Sequence, residues 1–186
     1  MRVIAGSARH ISLVAPTGEG TRPTSDRIKE TLFNILQQDI PGCRFLDLFA
    51  GSGGIGIEAL SRGASEASFI ERDKKALLCI RENLTKTKLK QLATVYPSDY
   101  TVALRQLNKI GEPFDIIFAD PPYQSGYEAE MMRLLTEKGA ADTRTQIIIE
   151  CSLTRKLDFA DSRLFEIERI KNYKSNRHVF LRRKPM

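Results

Sequence analysis

The sequence predicts an α/β fold: a doubly wound, mostly parallel sheet with a C-terminal antiparallel hairpin, preceded by a short N-terminal β-hairpin and helix. Three observations predict it. From residue 44 onward, short apolar runs alternate with stretches of helical periodicity, the pattern left by parallel strands and crossover helices. A glycine-rich turn joins the first of those runs to the helix after it. At both ends the alternation fails, and paired apolar runs flank polar turns instead.

Each element has its own signal. Residues 3–5 and 12–14 are expected to pair as a small hairpin, followed by a loop at Gly18, Gly20 and Pro23. Residues 24–36 read as a helix with Ile28, Leu32, Ile35 and Leu36 on one stripe. Residues 44–49 (RFLDLF) form a buried strand, 55–62 a helix and 67–71 a second strand. Asp73 can cap the next helix, where Leu77, Ile80 and Leu84 recur at spacings of three and four. A third strand (93–96), a helix (100–110), a fourth strand (114–119), a helix (128–138) and a fifth strand (146–150) follow. Residues 165–170 and 178–181 are the closing hairpin, around a turn holding Asn172, Ser175 and Asn176. The chain thus divides into an extension, 1–40, and a main domain, 41–186.

A chain of 186 residues, 41% of them hydrophobic, can bury the core of one globular domain without disulfide or metal staples. No apolar stretch is long enough to span a bilayer, and Met1-Arg2-Val3-Ile4 lacks the apolar run of a signal peptide. Cys43, Cys79 and Cys151 are scattered and odd in number, and His10 and His178 are the only imidazoles. Reduced thiols in a cytoplasmic protein are therefore expected, and a metal centre is not. Lysine plus arginine (29) exceeds aspartate plus glutamate (23), and the whole excess lies from Arg155 onward, where ten basic residues meet four acidic ones. Such a segment suits a polyanion like nucleic acid, or simply keeps a protein soluble.

The first chemical constellation is Asp47-Leu48-Phe49-Ala50-Gly51-Ser52-Gly53-Gly54-Ile55-Gly56. Gly51, Gly53 and Gly56 make a G-x-G-x-x-G between strand and helix, and Glu71 closes the second strand twenty positions after Gly51. Glycines let the backbone turn tightly and approach a ligand, while a carboxylate at that strand end can accept both ribose hydroxyl protons. An adenosine-containing cofactor is expected. Asp47 would oppose a pyrophosphate at the helix N-terminus. It suits instead the amine and sulfonium of S-adenosylmethionine.

The second constellation is Asp120-Pro121-Pro122-Tyr123, directly after the fourth strand, at the carboxyl edge where open α/β sheets bind ligands. Two prolines fix φ and remove two donors, so a carboxylate, outward carbonyls and an aromatic ring crowd one rigid corner. A planar base with an exocyclic amine fits it. Tyr123 can stack on the ring, while Asp120 and the Pro121 carbonyl accept the two amine hydrogens. An amine lone pair delocalised into its ring is a poor nucleophile, and accepting both hydrogens favours a tetrahedral nitrogen able to attack a methyl group.

With the glycine turn and Glu71, this D-P-P-Y resembles the motif set of amino-group S-adenosylmethionine methyltransferases, which modify adenine N6, cytosine N4 or guanine N2. The front of the chain is more specific. Arg2-Val3-Ile4-Ala5-Gly6, Arg22-Pro23-Thr24-Ser25-Asp26-Arg27 and Glu30-Thr31-Leu32-Phe33-Asn34 closely resemble the bacterial enzymes that methylate the N2 of a guanine in 16S ribosomal RNA. The likeness covers nearly the whole chain. It implies a Rossmann-like, class I methyltransferase fold, with Gly51, Ser52, Gly53 and Gly56 beside the methionine part of the cofactor. It also implies Glu71 on the ribose with Arg72 next to it, and Asp99 on the adenine amine. Thr24 and Asp26 would belong to a lid near the methionine end, in an extension that also contacts RNA. Helix capping accounts for Thr24, Asp26 and Asp99 as well.

The implied partner is 16S ribosomal RNA or the assembling small subunit, bound by a monomer without a metal. Arg22, Arg27, Lys174 and Arg177 are the foremost candidates for RNA contact, with Arg155, Lys156, Lys171, Arg182, Arg183 and Lys184 behind them. An adenine-N6 methyltransferase of DNA or RNA shares D-P-P-Y but usually carries an added target-recognition region. A nicotinamide oxidoreductase would use only the glycine turn, and a non-catalytic RNA-binding module only the basic tail.

Overall fold

The structure, a computed structural model, describes residues 1–16, 26–107, 112–122, 126–161 and 163–185. It divides into two compact units, Met1–Asp99 and Tyr100–Met186. In the first, α1 (Asp26–Ile35) precedes β1 (Arg44–Asp47), α2 (Gly54–Ser61), β2 (Glu66–Ile70), α3 (Lys74–Lys86), a 3-10 turn (Lys90–Leu92) and β3 (Ala93–Tyr96). β1 and β3 flank β2 and run parallel to it, with Leu46 opposite Ser68 and Phe69 opposite Val95. Phe45, Leu46, Phe69 and Ile70 are buried, the continuous burial that parallel strands require. Every residue of α2 is buried too, so packing rather than propensity holds a helix of eight residues. At the start of α3 the Asp73 side chain accepts the Ala76 N–H at 2.8 Å, the expected cap.

The second unit contains α4 (Tyr100–Leu107), β4 (Ile116–Ala119), α5 (Tyr127–Glu137), β5 (Gln146–Ser152), β6 (Phe165–Asn172) and β7 (Asn176–Arg183). β4 and β5 are parallel, with Ala119 opposite Ile149. β7 lies antiparallel against β5, and β6 antiparallel against β7. β6 is exposed along all but Phe165, and a bulge between Ile167 and Arg169 interrupts its register. Such a break in the ladder increases local twist and blunts an edge that could pair with other chains.

The α/β alternation and the closing hairpin match the expectation, while several details differ for physical reasons. The front hairpin reduces to one bridge, Arg2 to Ser12. The Ile4 and Ala5 N–H groups donate instead to the Glu58 carboxylate, at 2.8 and 3.0 Å. α1 is described from Asp26, because residues 24 and 25 lie outside the described ones. Leu32 and Leu36 of the expected stripe are buried and Ile28 and Ile35 half-buried, and Lys29, with an ionic partner inside, and Phe33 are buried beside them. β1 ends at Asp47, where the turn begins, and β4 starts only at Ile116. β6 and β7 extend beyond their apolar cores, since a ladder satisfies backbone groups whatever the side chains are. The helix expected to reach residue 110 is described to Leu107.

Candidate functional site

β1 delivers Asp47 into the interior, where its Oδ2 accepts the Gly56 N–H at 3.0 Å. Burial pushes its pKa up to about 7, opposed by that hydrogen bond and reinforced by the charge of Glu71. Gly53 caps α2 at φ +80°, a conformation that costs glycine nothing. Gly56 serves a different end. A Cβ there would lie 2.4 Å from the Phe69 ring, so only glycine lets α2 press onto β2. Just beyond β2, Glu71 Oε2 accepts the Gly51 N–H, and Oε1 accepts those of Arg72 and Asp73, all at 2.8 Å. These charge-assisted bonds bind the strand end to the glycine turn. Arg72 Nη1 meets Asp99 Oδ2 at 3.3 Å, so two further sequence-selected residues come together.

Two buried polar residues around this turn and the helix that leaves it were not selected from the sequence. Asn83 of α3 is fully buried; its Nδ2 donates to the Ser52 and Val14 carbonyls, both at 2.9 Å, and its Oδ1 accepts the Val14 N–H at 2.8 Å. A polar residue three positions after Ile80, on the apolar stripe of α3, was the available signal. Glu58 of α2 is the other. It meets Lys29 Nζ at 3.2 Å and Arg62 Nε at 2.8 Å while also accepting from Ile4 and Ala5. Lys29 donates as well to the Arg2 carbonyl, at 2.5 Å, and burial lowers its pKa. The N-terminal segment is thereby fastened to the helix that leaves the glycine turn.

The donor set fits S-adenosylmethionine. Asp47 and Glu71 both flank the turn, and a positive charge near Asp47 would relieve the cost of its buried carboxylate. The nearby guanidinium of Arg72 is engaged by Asp99. This arrangement disfavours a pyrophosphate and favours a cationic amino-acid ligand carrying a ribose.

In the second unit, Asp120 (half-buried), Pro121 (buried) and Pro122 (exposed) follow β4 directly. Tyr123 lies outside the described residues, as do Thr24 and Arg22. Asp26 opens α1, and its carboxylate takes both the Arg2 N–H and Arg2 Nε at 3.3 Å. Exposed Arg27 lines an open cleft of about 490 Å³ with Arg2, Ile4, Arg9, His10, Asp26 and Glu30. Lys174 is exposed in the turn between β6 and β7. Arg177 is spent differently: its guanidinium donates to the Arg155 carbonyl, and Arg155 pairs with Glu128 at 3.0 Å. Among the described residues, no group of three or more His, Cys, Asp or Glu side chains could hold a metal ion. No described helix is long and apolar enough to cross a membrane.

Comparison with known proteins places this geometry in context. The family described as Conserved hypothetical protein 95 matches residues 1–182. YlbH of Bacillus subtilis (strain 168), put forward by name as an rRNA methyltransferase, is 47% identical over 136 residues, 73% of this chain and 72% of that protein. Ribosomal RNA small subunit methyltransferase D of Escherichia coli (strain K12) is 37% identical over 157 residues, 84% of this chain and 77% of that protein. The solved structure of Escherichia coli yhhF superimposes with a TM-score of 0.85 at 32% identity, covering 100% of this chain and 99% of that one.

Proposed function

The chain belongs to the family described as Conserved hypothetical protein 95, and from that membership we infer an enzyme that transfers a methyl group from S-adenosylmethionine to the exocyclic N2 of a guanine in 16S ribosomal RNA. When bound, the cofactor supplies an electrophilic methyl group on a sulfonium. Glu71 holds its ribose with Arg72 beside it, Asp99 its adenine amine, and Asp47 with Gly51, Ser52, Gly53 and Gly56 its amino-acid part. Thr24 and Asp26 close over the methionine end, within an extension, residues 1–40, that serves as lid and RNA contact.

In the second unit, Asp120 and the Pro121 carbonyl accept the two hydrogens of the guanine amine. That interaction draws the nitrogen lone pair out of conjugation with the ring, and the displaced proton leaves by way of Asp120 or solvent. Pro122 keeps the corner rigid and Tyr123 stacks on the base. Arg22, Arg27, Lys174 and Arg177 form the basic set on the RNA side, Arg177 through the segment that it anchors. The target guanine leaves its stack to enter the corner. The enzyme acts as a cytoplasmic monomer on free RNA or on the assembling subunit.

The observation that carries this reading is the placement of Asp120-Pro121-Pro122 directly at the carboxyl end of a buried parallel strand. The test is incubation of the protein with methyl-labelled S-adenosylmethionine and 16S rRNA, naked or in small subunits, taken from cells lacking the protein. Nucleoside mass analysis should find N2-methylguanosine at one position. N6-methyladenosine in its place, or incorporation into DNA alone, overturns the choice of base.

A further inference from the structure

Outside the corner, the second unit buries a chain of polar side chains that the proposed chemistry does not use. Glu150 closes the apolar run of β5, and both its carboxylate oxygens are occupied. Oε2 meets His178 Nε2 at 3.0 Å, and Oε1 accepts from the Asn176 side-chain amide. His178, fully buried on β7, presents Nδ1 to the Tyr173 hydroxyl at 3.2 Å. The imidazole thus bridges the Glu150 carboxylate on one side and the Tyr173 hydroxyl on the other. The imidazole also meets two aromatic rings edge-on, Phe118 at 5.7 Å and Tyr173 at 4.9 Å.

Strand register shows where this chain of contacts leads. Phe118 is opposite Ile148, and Ile148 is opposite Phe180. Side chains alternate along strands, so the next position on that face brings in Glu150 on β5 and His178 on β7, while residue 120 follows β4 at the same level. Glu150 and His178 therefore share one face at the carboxyl edge of β4 and β5, the edge at which Asp120 follows β4. The turn between β6 and β7 lies at that same edge, because Ser152, the last residue of β5, pairs with Asn176, the first of β7. With strands about 4.8 Å apart, β7 lies about 10 Å across the sheet from β4, which leads into Asp120, a separation that suits a neighbouring nucleotide rather than the target base.

The turn is rigid and basic. The Tyr173 N–H donates to the Asn176 carbonyl at 2.8 Å, the Asn176 amide is tied to Glu150, and the Tyr173 hydroxyl is tied to His178. Tyr173 itself is half-buried, with exposed Lys171 and Lys174 on either side. An aromatic ring held between lysines matches how proteins contact single-stranded nucleic acid: stacking on a base and neutralising its phosphates.

We propose that Tyr173 is a second RNA-contacting aromatic residue, stacking on a nucleotide next to the target, and that His178 and Glu150 are the positioning residues that present it at the sheet edge where Asp120 follows β4. The inference rests on the functional reading above and extends it to a named specificity element. Fixing the ring in the fold removes the ordering cost that a mobile side chain would meet on binding.

The test uses the full chain in the methylation assay, with KM for RNA, kcat, cofactor Kd and thermal midpoint measured together. Tyr173→Leu should raise KM for RNA about tenfold with cofactor Kd unchanged, within the range expected for one base stack. Tyr173→Phe should stay within about threefold of wild type, and His178→Leu should fall between the two. A merely structural role would lower the thermal midpoint while leaving KM alone. If the leucine variant does not fold, Tyr173→Trp carries the test, since the chain otherwise contains no tryptophan. Its fluorescence should be quenched on adding RNA. Unchanged emission, or a folded leucine variant with wild-type KM, overturns the contact. If the wild-type protein methylates no RNA, the functional reading fails separately, and the fluorescence titration still decides whether Tyr173 meets RNA.

Discussion

Asp47 and Asp120 make opposite demands on a carboxylate, and each has a direct test. Asp47 is buried and its folded pKa, about 7, lies above the ordinary 3.8. A raised carboxyl pKa means that its contribution to stability is full below about pH 4 and lost as pH rises through about 7. Urea unfolding of the ligand-free protein should therefore show about 2–3 kcal/mol less stability at pH 8 than at pH 5 from this group. Asp47→Asn should flatten that slope. Asp120 is half-buried, and removing its acceptor should cost chemistry rather than stability. Asp120→Ala is expected to lower kcat at least a hundredfold with S-adenosylmethionine binding kept, as calorimetry and methyl incorporation would show. Full activity in that variant would remove the corner from the mechanism. Both aspartates stand out in the sequence because each sits where a strand meets a turn. Asn83 and Lys29 do not, because their partners are far along the chain.

At the scale of elements, α2 is the hub of the first unit, and its neighbours depend on polar contacts that hydropathy does not register. Lys29→Met leaves the Glu58 carboxylate buried with one cationic partner fewer, and about 3–5 kcal/mol of stability should be lost in thermal or urea unfolding. A loss below 1 kcal/mol would mean that Arg62 alone compensates Glu58. Asn83→Ala strips the Ser52 and Val14 carbonyls of a donor and the Val14 N–H of its acceptor. Cofactor Kd should rise several-fold together with a loss of about 1–3 kcal/mol in stability; unchanged binding would separate α3 from the turn. The front hairpin illustrates the same lesson. The Val3, His10 and Leu13 N–H groups bond across it, while Glu58 takes those of Ile4 and Ala5. Strand and helix boundaries elsewhere shift by a few residues where a cap, a turn or an antiparallel partner intervenes.

For the whole molecule, the basic excess from Arg155 onward is the property that bears on a polyanionic substrate. Its members are not equivalent: Arg155 and Arg177 are engaged within the fold, while Lys171 and Lys174 are exposed. RNA affinity should fall steeply with salt, and Lys174→Ala should flatten the slope of log K against log salt by about 0.7, the share of one phosphate contact on a single strand. Arg155→Ala should instead destabilise the fold, because it leaves the buried Glu128 without its guanidinium partner. The sequence by itself determined the α/β class, the glycine turn with its two acids, the D-P-P-Y corner and the basic C-terminal segment. Those features are local, written in periodicity, in glycine and proline chemistry and in composition. Only the tertiary structure decided which lysine is buried against Glu58, which arginines are already paired, and that Tyr173, His178 and Glu150 form one chain of contacts. A hydrogen bond between residues dozens of positions apart depends on strand register and helix packing, and one sequence carries neither in any short stretch of it.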